Sequence, residues 1–160
     1  MQVVWAPWRM TYVTDKVQRG CIFCAALEGD RRERLVRGAT PASVVMLNRY
    51  PYQVGHLMVA PRRHTAELPE LPADEHADLA ETLRRALASL KDVYTPDGFN
   101  MGMNLGTVAG AGVVDHLHWH IVPRWNGDTN FMPVLADTKV MPQHLVETWE
   151  QLRPAFGWLG

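Results

Sequence analysis

The run Asp115-His116-Leu117-His118-Trp119-His120-Ile121-Val122-Pro123 constrains this chain more than any other segment. Side chains alternate faces along an extended strand. In that conformation His116, His118 and His120 share one face, while Leu117, Trp119 and Ile121 share the other. The apolar set enters a core and three imidazoles line up on the opposite side. A helix would scatter the same histidines around its circumference. The segment therefore reads as a strand over 113–122, half core and half chemistry. A plain solvated strand face has little need of three groups that titrate near neutrality.

The neighbouring segments supply the rest of a sheet. Residues 43–48 (SVVMLN) and 56–60 (HLMVA) read as buried strands, and the turn-rich Arg49-Tyr50-Pro51-Tyr52-Gln53-Val54-Gly55 between them makes an antiparallel pair. Residues 73–94 form the longest helix. Its Leu79, Leu83, Leu87, Leu90 and Tyr94 recur as one apolar stripe, Pro72 suits its start, and Thr95-Pro96-Asp97-Gly98 stops it. Residues 99–105 and 113–122 read as two strands joined by the glycine-rich 106–112. Leu145, Trp149 and Leu152 mark a short helix closed by Pro154. The expected fold class is α+β with an antiparallel sheet. The 160 residues carry no repeat or linker and make one domain over 1–160. Residues 1–20, with Trp5, Pro7, Trp8 and Tyr12, are too aromatic for a free tail and are expected to pack on the domain or on a second copy.

Charge and composition exclude several classes. Sixteen basic against seventeen acidic residues leave a net charge of −1, with no general pull toward a nucleic-acid polymer or an anionic membrane. No segment reaches the ~20 apolar residues of a membrane span. The first residues lack a basic region followed by an apolar run, so a cytoplasmic location is expected. The only cysteines, Cys21 and Cys24, form a C-x-x-C pair. In a reducing compartment such a pair suggests redox or metal chemistry before a structural disulfide.

Two chemistries suit the histidine face. An imidazole nitrogen can attack phosphorus and form a covalent intermediate. Alternatively, three histidines can bind a zinc ion that activates water. Gly106, Gly110 and Gly112 precede the histidine strand, and glycines let backbone N–H groups approach anionic oxygens closely. A phosphate cradle beside a histidine nucleophile is a phosphoryl or nucleotidyl transfer site.

His116-Leu-His118-Trp-His120-Ile-Val resembles the signature of the histidine-triad (HIT) family of nucleotide hydrolases and transferases. Asn48-Arg49-Tyr50-Pro51 and Gly55-His56-Leu57-Met58-Val59-Ala60-Pro61 are similar to the family's first hairpin. Asn104-Leu105-Gly106 and Ala109-Gly110-Ala111-Gly112 are similar to its phosphate loop. Trp5-Ala6-Pro7-Trp8-Arg9 and 123–131 resemble the bacterial diadenosine tetraphosphate phosphorylase-like branch. The resemblance implies that His118 is the nucleophile, that His120 binds the α-phosphate, and that His116 completes the triad. It implies that His56 lines the same pocket, that Asn48 holds the ribose, and that Asn104 with the backbone of Gly112 and Val113 holds phosphate oxygens. It further implies a homodimer acting on a nucleotide or dinucleoside polyphosphate. Adenosine phosphoramidate hydrolysis and non-catalytic nucleotide binding are the alternatives. No catalytic metal is required, and Mg²⁺ enters only as a companion of a polyphosphate substrate.

Read on its own, the cysteine pair leaves a redox couple, a zinc half-site and two ordinary thiols open. Zinc-bearing relatives of the resembled family use two cysteines, a histidine after the second hairpin strand and the first triad histidine. Carried over, that ligand set is Cys21, Cys24, His64 and His116, a closed Cys₂His₂ structural site.

Overall fold

The computed structural model describes residues 20–129 and 140–160. The N-terminal segment through Arg19, including its tryptophans, lies outside the described residues, as do 130–139. Five strands make one antiparallel sheet in the order β1-β2-β3-β5-β4: β1 is Val36–Ala39, β2 Ser43–Leu47, β3 Leu57–Pro61, β4 Gly98–Gly102 and β5 Trp119–Arg124. Two α-helices accompany it, α1 at Ala73–Tyr94 and α2 at Leu145–Leu152. The α+β antiparallel class is as expected, and so are the bounds of α1.

Helix α1 forms because apolar side chains return every three or four residues. Leu79, Leu83, Ala86 and Leu90 are buried along one stripe. Asp74 and Glu75 in its first turn and Lys91 in its last complement the helix dipole. The chain leaves the helix at Thr95, which adopts a left-handed conformation (φ 44°) and donates its N–H to the Lys91 carbonyl.

Strands β2 and β3 are buried at every position because both faces of the sheet are covered. One face (Val45, Leu47, Leu57, Val59, Ile121) packs on α1 and α2. The other face carries Val44, Met46, Met58 and Ala60. It is covered by Phe23, which caps the short 3-10 turn Cys24–Leu27, and by Ala26 within that turn. This second face holds the chemistry.

The structure corrects the expected strand ends. The regular ladder of β5 starts at Trp119 instead of 113, and β4 ends at Gly102 instead of 105. β5 pairs with β3 only through Leu57↔Ile121, Met58↔His120 and Val59↔Trp119. Upstream, the Leu117 N–H bonds the Thr65 carbonyl, and the His116 side chain takes the carbonyl of Pro61. His116 and His118 thus lie on an extended lead-in whose hydrogen bonds leave the ladder. The alternation of faces survives: Leu117 and Ile121 enter the helix-side core, while His116 and His118 meet Phe23 on the other side.

Strand β1 carried no periodic signal because its sequence is Val-Arg-Gly-Ala. The guanidinium of Arg37 is buried over the indole of Trp149, 4.3 Å from the ring centroid, and donates to the Trp149 carbonyl. The Trp149 indole N–H in turn donates to Val36 at 2.9 Å. A charged residue is thus made part of the interior by α2.

Candidate active site

Four histidines meet near the boundary between β3 and β5. His56 directly precedes β3, His120 is the second residue of β5, and His118 and His116 sit on the lead-in. Ring centroids of His118 and His120 are 4.9 Å apart, and those of His56 and His120 5.1 Å apart. His118 is 3% exposed and His56 is fully buried.

Hydrogen-bond directions fix the protons. A carbonyl only accepts. His118 Nδ1 lies 2.9 Å from the carbonyl of His116, so Nδ1 carries the proton and Nε2 keeps its lone pair. The Tyr52 backbone N–H donates to His56 Nδ1 at 3.0 Å, so the neutral His56 holds its proton on Nε2. That proton points at His120 Nδ1, 2.9 Å away. His120 therefore accepts at Nδ1 and presents Nε2–H. The result is a nucleophilic nitrogen on His118 beside a ring that offers a hydrogen-bond donor.

Both rings stay neutral near pH 7. Burial lowers the pKa of His118, against the opposing pull of its bond to the His116 carbonyl. Burial, and then the proximity of His118, push His120 down to about 4.

His116 faces the other way. Its Nε2–H donates to the Pro61 carbonyl at 2.7 Å, which leaves the Nδ1 lone pair pointing at a cluster. There Nδ1 lies 3.2 Å from Cys21 Sγ, 3.6 Å from Cys24 Sγ and 3.2 Å from His64 Nδ1, and Cys24 Sγ lies 3.3 Å from His64 Nδ1. The four donor atoms fall within 4.8 Å of one another. A tetrahedron with Zn–S of about 2.3 Å and Zn–N of about 2.0 Å has S–N and N–N edges of about 3.3–3.6 Å. The residues fit such an ion in donor type and spacing. Burial, then the adjoining Cys21 thiol, raise the Cys24 pKa, a burden that a bound cation would relieve.

The remaining expected residues lie in the segments that follow β2 and β4. Asn48 follows β2; its N–H donates to the His56 carbonyl, and its side-chain oxygen accepts from the Tyr50 N–H. Asn104 lies between β4 and a 3-10 turn at Thr107–Ala109, and its side-chain nitrogen reaches the Gly110 carbonyl at 3.4 Å. Gly106 and Gly110 both have positive φ (81° and 86°), which is why glycines occupy this loop. Gly112 is exposed, and Val113 packs against the cluster that contains Phe23. His56, expected in the pocket, supports His120 from behind. Two residues that sequence reasoning missed also bear on the site. Tyr52, 58% exposed, stacks on His56 at 4.9 Å. Phe23 packs on both His116 and His118. A cleft of about 580 Å³ lies away from the triad, between Arg62, Asp78, Arg85 and Trp158. Asp78 is already satisfied there by Thr40 and Ser43.

The family model of the HIT domain matches residues 32–127. The chain belongs to the HIT domain family. It is 40% identical over 157 residues to the AP-4-A phosphorylase of Mycobacterium tuberculosis, covering 92% of this chain and 80% of that protein. It is 31% identical over 132 residues to the adenosine 5'-monophosphoramidase of Schizosaccharomyces pombe, covering 82% of this chain and 95% of that one. A zinc-bound histidine triad family protein from Mycobacterium smegmatis superposes with a TM-score of 0.67 at 27% identity, over 87% of this chain and 94% of that chain. This chain is an enzyme of that family. Among the described residues no helix is long and apolar enough to cross a membrane.

Proposed function

We propose that this HIT enzyme cleaves nucleoside polyphosphates at the α-phosphorus, with dinucleoside polyphosphates such as diadenosine tetraphosphate as its preferred substrates. The observation that carries the reading is the bond from His118 Nδ1–H to the His116 carbonyl, which leaves Nε2 as the nucleophile. Nε2 attacks phosphorus, the bond to the bridging oxygen breaks, and the polyphosphate leaves with that electron pair. The imidazolium of the nucleotidyl-histidine keeps its Nδ1 proton against the carbonyl. An oxygen of water or inorganic phosphate then attacks, and the P–N bond breaks.

His120 donates Nε2–H to a phosphoryl oxygen as negative charge builds there, and His56 holds His120 in the tautomer that can do so. Asn104 and the backbone at Gly112 and Val113 bind the other phosphate oxygens, and Asn48 binds the ribose. A rival zinc hydrolase would need the triad nitrogens to converge on one point. Instead His116 Nδ1 joins Cys21, Cys24 and His64, and His118 turns its Nδ1 to a carbonyl. We assign zinc to the Cys₂His₂ cluster, where four protein donors leave no open position for a water. Held by these four residues, a zinc ion would cross-link the Cys21–Cys24 turn to the lead-in. Any Mg²⁺ arrives with the polyphosphate. The functional unit is taken as a single domain acting as a homodimer.

The 40% identity to a phosphorylase favours inorganic phosphate as acceptor. The relationship to a phosphoramidase favours a second reading, hydrolysis of adenosine phosphoramidate. Incubation with diadenosine tetraphosphate, with and without inorganic phosphate, separates these by product mass. ADP with ATP, formed only when phosphate is present, is the expected result. AMP with ATP in its absence makes the enzyme a hydrolase. Cleavage of the phosphoramidate alone overturns the polyphosphate assignment.

A further inference from the structure

Phe23 stands between the two cysteines of the Cys21-Ile-Phe-Cys24 turn and touches the reacting histidine. Its backbone is helical (φ −76°, ψ −38°), and the turn is closed by the Ala25 N–H on the Cys21 carbonyl at 3.1 Å. The phenyl ring is 3% exposed. Its centroid lies 4.9 Å from His118 at 33° and 5.1 Å from His116 at 48°. His120 meets His118 edge-on at 75°. The bond from Nδ1 to the His116 carbonyl anchors one atom of the His118 ring but leaves its tilt free. Phe23 and His120 set the tilt. The phenyl ring has no polar atom and no proton to give, so its influence on the reaction runs through the ring it packs on.

The same turn carries two of the four donors of the Cys21–Cys24–His64–His116 cluster. A ligand on each side of Phe23 ties its main chain to the cluster, and the cluster's fourth donor, His116, supplies the carbonyl that anchors His118. Two routes therefore lead from the cluster to the nucleophile, one through the His116 main chain and one through the Phe23 ring.

We propose that Phe23 is a positioning residue that transmits the state of the metal cluster to the imidazole of His118. This rests on the reading of His118 as nucleophile. With the cluster filled, the turn is fixed and the phenyl ring holds the Nε2 lone pair in line for attack. With the cluster empty, the turn loosens and the His118 ring loses one of its two flanks.

The test uses the full zinc-loaded chain with F23A and F23L. A misplacement of about 1 Å at a reacting group costs about 10²-fold in rate. F23A is expected to keep its zinc, lose about 10²-fold in kcat and change KM by less than about threefold, because ring packing affects the attack and not substrate capture. F23L, which refills most of the volume, recovers part of the loss. In parallel, ring-nitrogen NMR of His118 is recorded before and after removal of zinc by a chelator. The signals are expected to move in the wild-type chain and to move less in F23L. Four results would overturn the proposal: an unchanged kcat in F23A, a raised KM with kcat intact, a kcat restored merely by added zinc, or His118 signals indifferent to zinc. If the wild-type chain turns over no nucleotide, the proposed function falls, and the ring signals alone decide the role of Phe23.

Discussion

Replacing His56 by phenylalanine removes both hydrogen bonds that orient His120. The Tyr52 N–H loses its acceptor at 3.0 Å, and His120 Nδ1 loses its donor at 2.9 Å. His120 is partly buried, so water replaces its lost donor poorly, whereas Tyr52 is exposed and its N–H can turn to water. A buried polar group left unpaired costs about 1–3 kcal/mol; that cost falls on His120, so H56F should lose about 1–3 kcal/mol of stability. The catalytic effect is separate. Without the proton from His56, His120 is free to carry its own proton on Nδ1, which turns a lone pair instead of a donor toward the phosphate. Loss of one such donor costs about 10²-fold in kcat. Urea unfolding followed by tryptophan fluorescence reads the first effect, and steady-state cleavage of diadenosine tetraphosphate reads the second. A variant with wild-type stability and wild-type kcat would refute the proton assignment and, with it, the donor role of His120.

The cluster predicts that C24S or H64A lowers bound zinc well below one per chain and lowers the melting temperature, as read by elemental analysis and thermal unfolding. The pKa of His120, depressed by burial to about 4, predicts acid sensitivity. The unfolded chain binds this proton below about 6.5, so stability is full above that pH and declines as pH falls toward about 4. H120Q should show a flatter dependence over this window in urea titrations. W149F should cost about 1–3 kcal/mol, because it strands the Val36 carbonyl, bonded at 2.9 Å, and thins the cover over Arg37; an unchanged urea midpoint would count against that packing. L79A, at a position 1% exposed in the α1 stripe, should cost about 2–5 kcal/mol.

What the sequence disclosed depended on periodicity. The alternation around His118 and the stripe from Leu79 to Leu90 each encode a face, and each face appears in the structure where its period puts it. Hydrogen bonds that leave the regular pattern were invisible. The ladder stops at Trp119 because the lead-in bonds Thr65 and Pro61 instead of continuing along β3, and no local residue type announces that. Strand β1 escaped notice because Arg37 and Gly38 read as loop until α2 supplies an indole for the guanidinium and the C-terminal Leu159 crosses where only a glycine leaves room. The donor set Cys21, Cys24, His64 and His116 was reached through family resemblance and not through spacing, since residues 95 positions apart meet only once the sheet is assembled. His56 was expected to line the pocket. Its support of His120 depends on a tautomer set by a backbone N–H four residues upstream, which no pattern of residue types specifies.

The central claim concerns a single nitrogen, Nε2 of His118. Brief mixing of the zinc-loaded chain with diadenosine tetraphosphate, a quench in alkali to preserve the P–N bond, and peptide mass analysis test it directly. The account predicts an adenylyl mass on the peptide containing His118 within the first turnover, lost on acid treatment and absent from H118N. Rapid turnover with no adduct at any time, or an adduct that persists in H118N, would contradict it.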